Sequence, residues 1–142
     1  MDNWQRTFVE KLGKARSSWV RGFEETLDQF VTPAFEDMGN FLRDHGFRVS
    51  TPLNDDGRRS FKFELAENAY VLCIFRFTGV GEFEFRAECF VPGMEPQLEK
   101  TAMRLSDVDE DWTRAQFQAQ LDRFVDFCAG AKRQKFEAVA VA

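Results

Sequence analysis

Only three cysteines occur among the 142 residues: Cys73, Cys89 and Cys128. They lie far apart in apolar contexts, with no CxxC and no CxxxH pair. An odd, scattered set excludes a disulfide framework and a Cys/His zinc site, and reduced thiols in a cytoplasmic protein are expected. Histidine is rarer still, with His45 the single copy. A Ser-His-Asp or Cys-His arrangement would have to use it, and neither a nucleophile elbow nor a papain-like cysteine context accompanies it. His45 stands just before Gly46, where an imidazolium interacts favourably with a helix C-terminus. No GxGxxG and no Walker sequence is present, and Gly79-Val80-Gly81 leads into a strand pattern, so it is no phosphate cradle. No apolar window approaches the roughly 18 residues of a membrane span. Met1–Asn3 run into an amphipathic stretch in place of a signal-peptide core. No repeat, low-complexity tract or linker divides the chain, so one domain over residues 1–142 is expected, with residues 131–142 as a tail.

Cationic charge is also short. Nineteen Lys and Arg face twenty-four Asp and Glu, for a net charge of −5. That weighs against sequence-independent binding to nucleic acid, which needs cations to displace phosphate counterions. The acidic clusters do not form a metal site by pattern. Asp55-Asp56-Gly57 is turn chemistry. Ser106–Asp111 resembles a calcium loop only superficially: glycine and glutamate belong at its sixth and twelfth positions, where this chain has Trp112 and Gln118. Acids ahead of a helix are explained by its dipole. No metal, cofactor or catalytic residue is therefore assigned, and the expected protein is not an enzyme.

What is abundant is phenylalanine, with 17 copies, and its spacing defines the elements. Trp4, Phe8, Leu12, Ala15, Trp19, Phe23, Leu27 and Phe30 recur every three or four residues, a helical stripe reaching Val31. Gly13 and Gly22 weaken this helix, so a bend or break near either is compatible with the pattern. Its first half is basic and its second half acidic. A basic amphipathic helix bearing tryptophan can lie on an anionic membrane, but the acids that follow oppose this, and a core helix with a solvated face is expected. Thr32-Pro33 reads as an N-cap with proline in the first turn of a second helix to about Asp44, burying Phe35, Met38, Phe41 and Leu42. A first short strand spans residues 47–51, ended by Pro52 and the turn cluster 54–57.

Residues 59–91 form three alternating runs, whose register follows from matching apolar positions. With Gly79-Val80-Gly81 as loop, Phe77 faces Phe83, Phe75 faces Phe85, Cys73 faces Ala87 and Val71 faces Cys89. With Glu67-Asn68-Ala69 as loop, Leu65 pairs with Val71, Phe63 with Cys73 and Phe61 with Phe75. A fifth strand is expected over 98–105, with Thr101, Met103 and Leu105 towards the core. A capping box at Thr113–Gln116 then opens a helix burying Phe117, Leu121, Phe124, Val125 and Cys128. Residues 131–142 are open between helix extension, fraying and a short edge strand.

The other face of the meander carries Lys62, Glu64, Arg76, Glu82, Glu84, Arg86 and Glu88, as a solvated face should. Tyr70, Leu72, Ile74 and Phe90 interrupt these charges with an apolar stripe. Contiguous apolar area of this kind marks a contact, and a self-complementary stripe needs no second gene product. The order of helices, antiparallel strands and C-terminal helix is similar to that of small secretion-chaperone-like proteins, without the helix that those proteins place between strands. That resemblance implies protein binding. The expectation is an α+β domain of order ααβββββα, acting as a non-catalytic, homodimeric protein-interaction or assembly module. Tyr70, Leu72, Ile74 and Phe90 are its partner-binding residues, and neither nucleic acid nor membrane is a partner. The alternative is a carrier of a small apolar ligand held between the helices and the aromatic-lined sheet.

Overall fold

The computed structural model describes residues 2–141, with side chains through Gly130. Helix α1 spans Asn3–Thr26 and runs through a π turn, Leu27–Val31, into α2, Thr32–Arg43. The strands are β1 Arg48–Val49, β2 Leu53–Asp55, β3 Arg58–Ala66, β4 Ala69–Gly79, β5 Glu82–Phe90 and β6 Gln97–Arg104. A 3-10 turn, Leu105–Asp107, leads into α3, Glu110–Val141, so the tail extends the last helix. The class is α+β, with every strand antiparallel to its neighbours.

Helix continuity differs from the expected break at Thr32. Residues 3–43 are helical throughout, and Val31, the residue before α2, makes no side-chain cap. Neither Gly13 nor Gly22 interrupts α1. The irregularity falls at Leu27–Val31 because Pro33 lacks the N–H that would bond the Gln29 carbonyl, and its ring crowds that carbonyl. A wider turn just upstream accommodates both constraints.

The sheet order is β1-β3-β4-β5-β6, with β2 also paired to β3. The expected first strand over residues 47–51 is present as the short β1. A further strand not expected from the sequence, Leu53–Asp55, forms after Pro52 within the region read as turn and pairs with β3 before the turn at Asp56-Gly57. The β4–β5 register is the expected one, and the irregularity lies between Phe77 and the Gly79–Glu82 pair. The β3–β4 register is shifted by two residues: Phe61 opposes Cys73, Phe63 opposes Val71 and Arg59 opposes Phe75. Here Ala66 pairs with Ala69 around Glu67-Asn68, with Asn68 at φ 64°, and a bulge falls between Glu64 and Ala66. A two-residue slip keeps every side chain on its face, so alternation alone did not distinguish the two registers. Leu65 falls at the bulge and is exposed.

All helices that contribute to the core pack on the phenylalanine face. Phe35 of α2 meets Phe61 and Phe63 at ring separations of 4.9 and 5.1 Å. Phe117 of α3 meets the same two rings, and Trp112 stands edge-on to Phe75, Phe83 and Phe85. Phe23, near the end of α1, reaches Phe77 and Phe83. Offset and edge-on rings fill this layer, each pair contributing about 0.5–1.5 kcal/mol beyond its buried area.

Candidate functional site

The opposite sheet face is built by the odd-even alternation of β3, β4, β5 and β6. One row across it reads Lys62, Leu72, Glu88, Leu98, the next Ser60, Ile74, Arg86, Lys100, and a third Glu64, Tyr70, Phe90. The sequence-predicted residues Tyr70, Leu72, Ile74 and Phe90 therefore come together as one contiguous stripe. Tyr70 and Phe90 stack with ring centroids 4.7 Å apart, and the Lys62 ammonium sits 4.3 Å above the Tyr70 ring. None of the four belongs to the hydrophobic core cluster. Tyr70, Leu72 and Phe90 are half-buried.

Ile74 is different, at 4% exposure although it lies outside the core. Its cross-strand neighbours are Ser60 and Arg86, and the aliphatic stem of an arginine covers apolar surface while its head stays in water. Arg86 Nε lies 2.6 Å from Glu88 Oε1, yet the atom is buried without an aligned hydrogen-bond acceptor among the described residues. The contact is an ion pair that leaves a donor direction unused. Arg76 donates to Glu84 Oε2 at 3.3 Å across the strands.

Two further apolar surfaces were not expected. The stripe of α1 is buried only from Phe23 onwards. Trp4 is 70% and Phe8 47% exposed, and their rings stack on each other at 5.2 Å. The reading of α1 as a core helix thus holds fully only from Phe23; Leu12, Ala15, Trp19 and Val20 are half-buried, and residues 2–11 are exposed. Phe41 and Val125, both expected inside, are 59% and 51% exposed. They line a cleft of about 340 Å³ between α2 and α3, together with Met38, Leu42, Phe47 and Leu121. Phe127, which was not expected inside, is buried on another side of α3. The signal for both corrections lay in the helical wheel: Phe124 and Phe127, like Leu42 and Phe35, define the buried arc, and Val125 and Phe41 lie at its border.

The cysteines are free thiols, Cys73 and Cys89 buried and Cys128 half-buried. Burial pushes all three thiols above their ordinary value. Cys89 adds to the shift of Cys73, and the Arg123 guanidinium opposes that of Cys89. Among the described residues, no three His, Cys, Asp or Glu side chains gather into a metal-binding group, and no helix is long and apolar enough to cross a membrane. His45 is exposed beside Phe41, ring centroids 4.8 Å apart. No protein-family model, curated protein or solved structure matches the chain.

Proposed function

We propose that the protein is a non-catalytic protein-interaction module that assembles with a second copy of itself through the Tyr70–Leu72–Ile74–Phe90 face. The observation that carries this reading is that the stripe stands on a sheet face outside the hydrophobic core. Sheets pack face to face about 10 Å apart with interdigitating side chains. The face presents both signs of charge around the stripe, with Glu64, Glu82, Glu84 and Glu88 among Lys62, Arg76, Arg86 and Lys100. A two-fold operation can set such a face against itself with opposite charges meeting. The likeness of element order to secretion-chaperone-like proteins points the same way, towards protein binding. Carriage of an apolar ligand under the helices is the weaker reading, because phenylalanine rings in mutual contact occupy that layer.

The test uses Leu72→Glu with Phe90→Glu, two half-buried positions, and leaves Ile74 intact because its burial would confound assembly with folding. Sedimentation equilibrium should show the wild-type mass falling to a smaller species in the double variant, with an unchanged circular dichroism spectrum. A wild-type mass that is the same before and after substitution sinks the proposal.

A further inference from the structure

The first turns of α1 are exposed on every side, with residues 2–11 all open to solvent, and the helix first nears the sheet where Arg16, Ser17 and Val20 share a hollow with Arg76 and Phe77 of β4. Its tip is held by a capping box: the Gln5 backbone N–H donates to Asp2 Oδ1 at 2.7 Å, and the Asp2 N–H donates to Gln5 Oε1 at 3.2 Å. The apolar stripe Trp4, Phe8, Leu12, Ala15 and Trp19 runs along this arm, with Trp4 and Phe8 exposed and Leu12, Ala15 and Trp19 half-buried. From Asp2 to Phe23 the arm spans about 30 Å at 1.5 Å per residue. It is also the basic part of an acidic chain. Residues 2–21 hold five basic and two acidic side chains, while the remainder holds fourteen basic and twenty-two acidic ones.

The α2–α3 cleft is its counterpart in shape and charge. Phe41 and Val125 are exposed at its mouth, and Met38, Leu42, Phe47 and Leu121 line it. Asp122 lies in the lining, Asp126 follows one turn later on α3, and Asp37 of α2 and Asp44 at its C-cap flank Phe41, all four exposed. An apolar cleft between two helices with an acidic border suits a basic amphipathic helix that offers aromatic anchors at i and i+4. We propose that the α1 arm of one copy docks in the α2–α3 cleft of a second copy, and that two copies exchange arms reciprocally. The exchange buries Trp4 and Phe8 together with Phe41 and Val125, and sets Arg6, Lys11, Lys14 and Arg16 near the four aspartates. Reciprocity closes the contact at two copies, as an isologous interface requires. This contact is separate from the sheet face, so the two can fail independently.

Two variants at exposed positions test it: Trp4→Glu with Phe8→Glu disables the arm, and Phe41→Glu with Val125→Glu disables the cleft. Both are made in the wild type and in the Leu72→Glu/Phe90→Glu chain. Two separate two-fold contacts assemble the wild type beyond two copies, so in the latter background the mass should fall to a dimer sustained by the arm contact alone. Each variant should then sediment as monomer, and mixing the two should restore a mixed dimer, because an intact arm from one chain meets an intact cleft on the other. Four results overturn the exchange: masses unchanged in both variants, loss in the arm variant alone, no recovery on mixing, or a wild-type monomer whose arm binds phosphatidylglycerol vesicles. A mass altered by Leu72→Glu/Phe90→Glu but not by the arm or cleft variants leaves the sheet-face reading standing and removes this one. The reverse pattern does the opposite.

Discussion

Arg59 shows how a single residue can oppose the pattern around it. Alternation with Phe61 and Phe63 places it on the phenylalanine face, and the structure buries it there, opposite Phe75. Its guanidinium meets Asp28 of the π turn at 2.6 Å and the Thr32 hydroxyl at 3.2 Å. The carboxylate remains largely exposed, so water screens part of the pair. Asp28→Ala leaves a buried cation with one neutral partner and should destabilise the fold by about 1–3 kcal/mol in urea unfolding. Arg59→Met should cost less, since an apolar stem replaces the whole buried charge. Equal losses in the two variants would show that the pair itself is not what matters. Cys73 gives a pH signature. Burial keeps its thiol protonated in the folded chain far above the ordinary value of 9.0. Above that pH the unfolded chain binds fewer protons than the folded one. Unfolding free energy therefore falls with rising pH, by about 1.4 kcal/mol per unit for one such thiol. Below that value this contribution is flat. Cys73→Ala should flatten the alkaline slope relative to wild type, whatever its effect on absolute stability, and parallel slopes would exclude the assignment.

At the scale of elements, boundaries are set by local chemistry that competes with periodicity. The expected start of α3 at the Thr113–Gln116 capping pattern is overtaken by Asp109. Its Oδ1 accepts from the Trp112 N–H at 2.7 Å, while Thr113 donates its hydroxyl back to the Asp109 carbonyl at 2.8 Å. The acidic run before the helix thus serves as cap and first turn. Asp109→Ala should lower stability by about 1 kcal/mol by thermal or urea unfolding, and no loss would mean that neighbouring acids satisfy the same N–H. Strand register behaved in the same way. The β4–β5 pairing was legible because a one-residue slip would have exposed every phenylalanine. The β3–β4 pairing was not, because the choice between turn lengths hung on where one bulge fell.

For the whole molecule, the decisive feature is that the helices cover one side of the sheet while the first turns of α1, residues 2–11, stay exposed. A chain with a basic arm, an acidic border along a cleft and a sheet face of mixed charge is expected to associate. Its mass should therefore rise with protein concentration, while added salt weakens the arm contact by screening the exposed charges. Sedimentation at two ionic strengths checks this. A mass independent of both variables would leave the exposed tryptophan and phenylalanines without a partner of their own kind.

The sequence by itself determined what periodicity can carry: the α+β class, the phenylalanine face, the β4–β5 register and the grouping of Tyr70, Leu72, Ile74 and Phe90 on one surface. These follow because helical and strand periods assign each side chain to a face before any packing occurs. Only the tertiary structure decided which faces find a partner. An amphipathic stripe has the same pattern whether a sheet covers it or not, so Trp4 and Phe8 were indistinguishable from Phe23. Phe41 and Val125 were likewise indistinguishable from their buried neighbours until the spacing of α2 and α3 left a cleft between them.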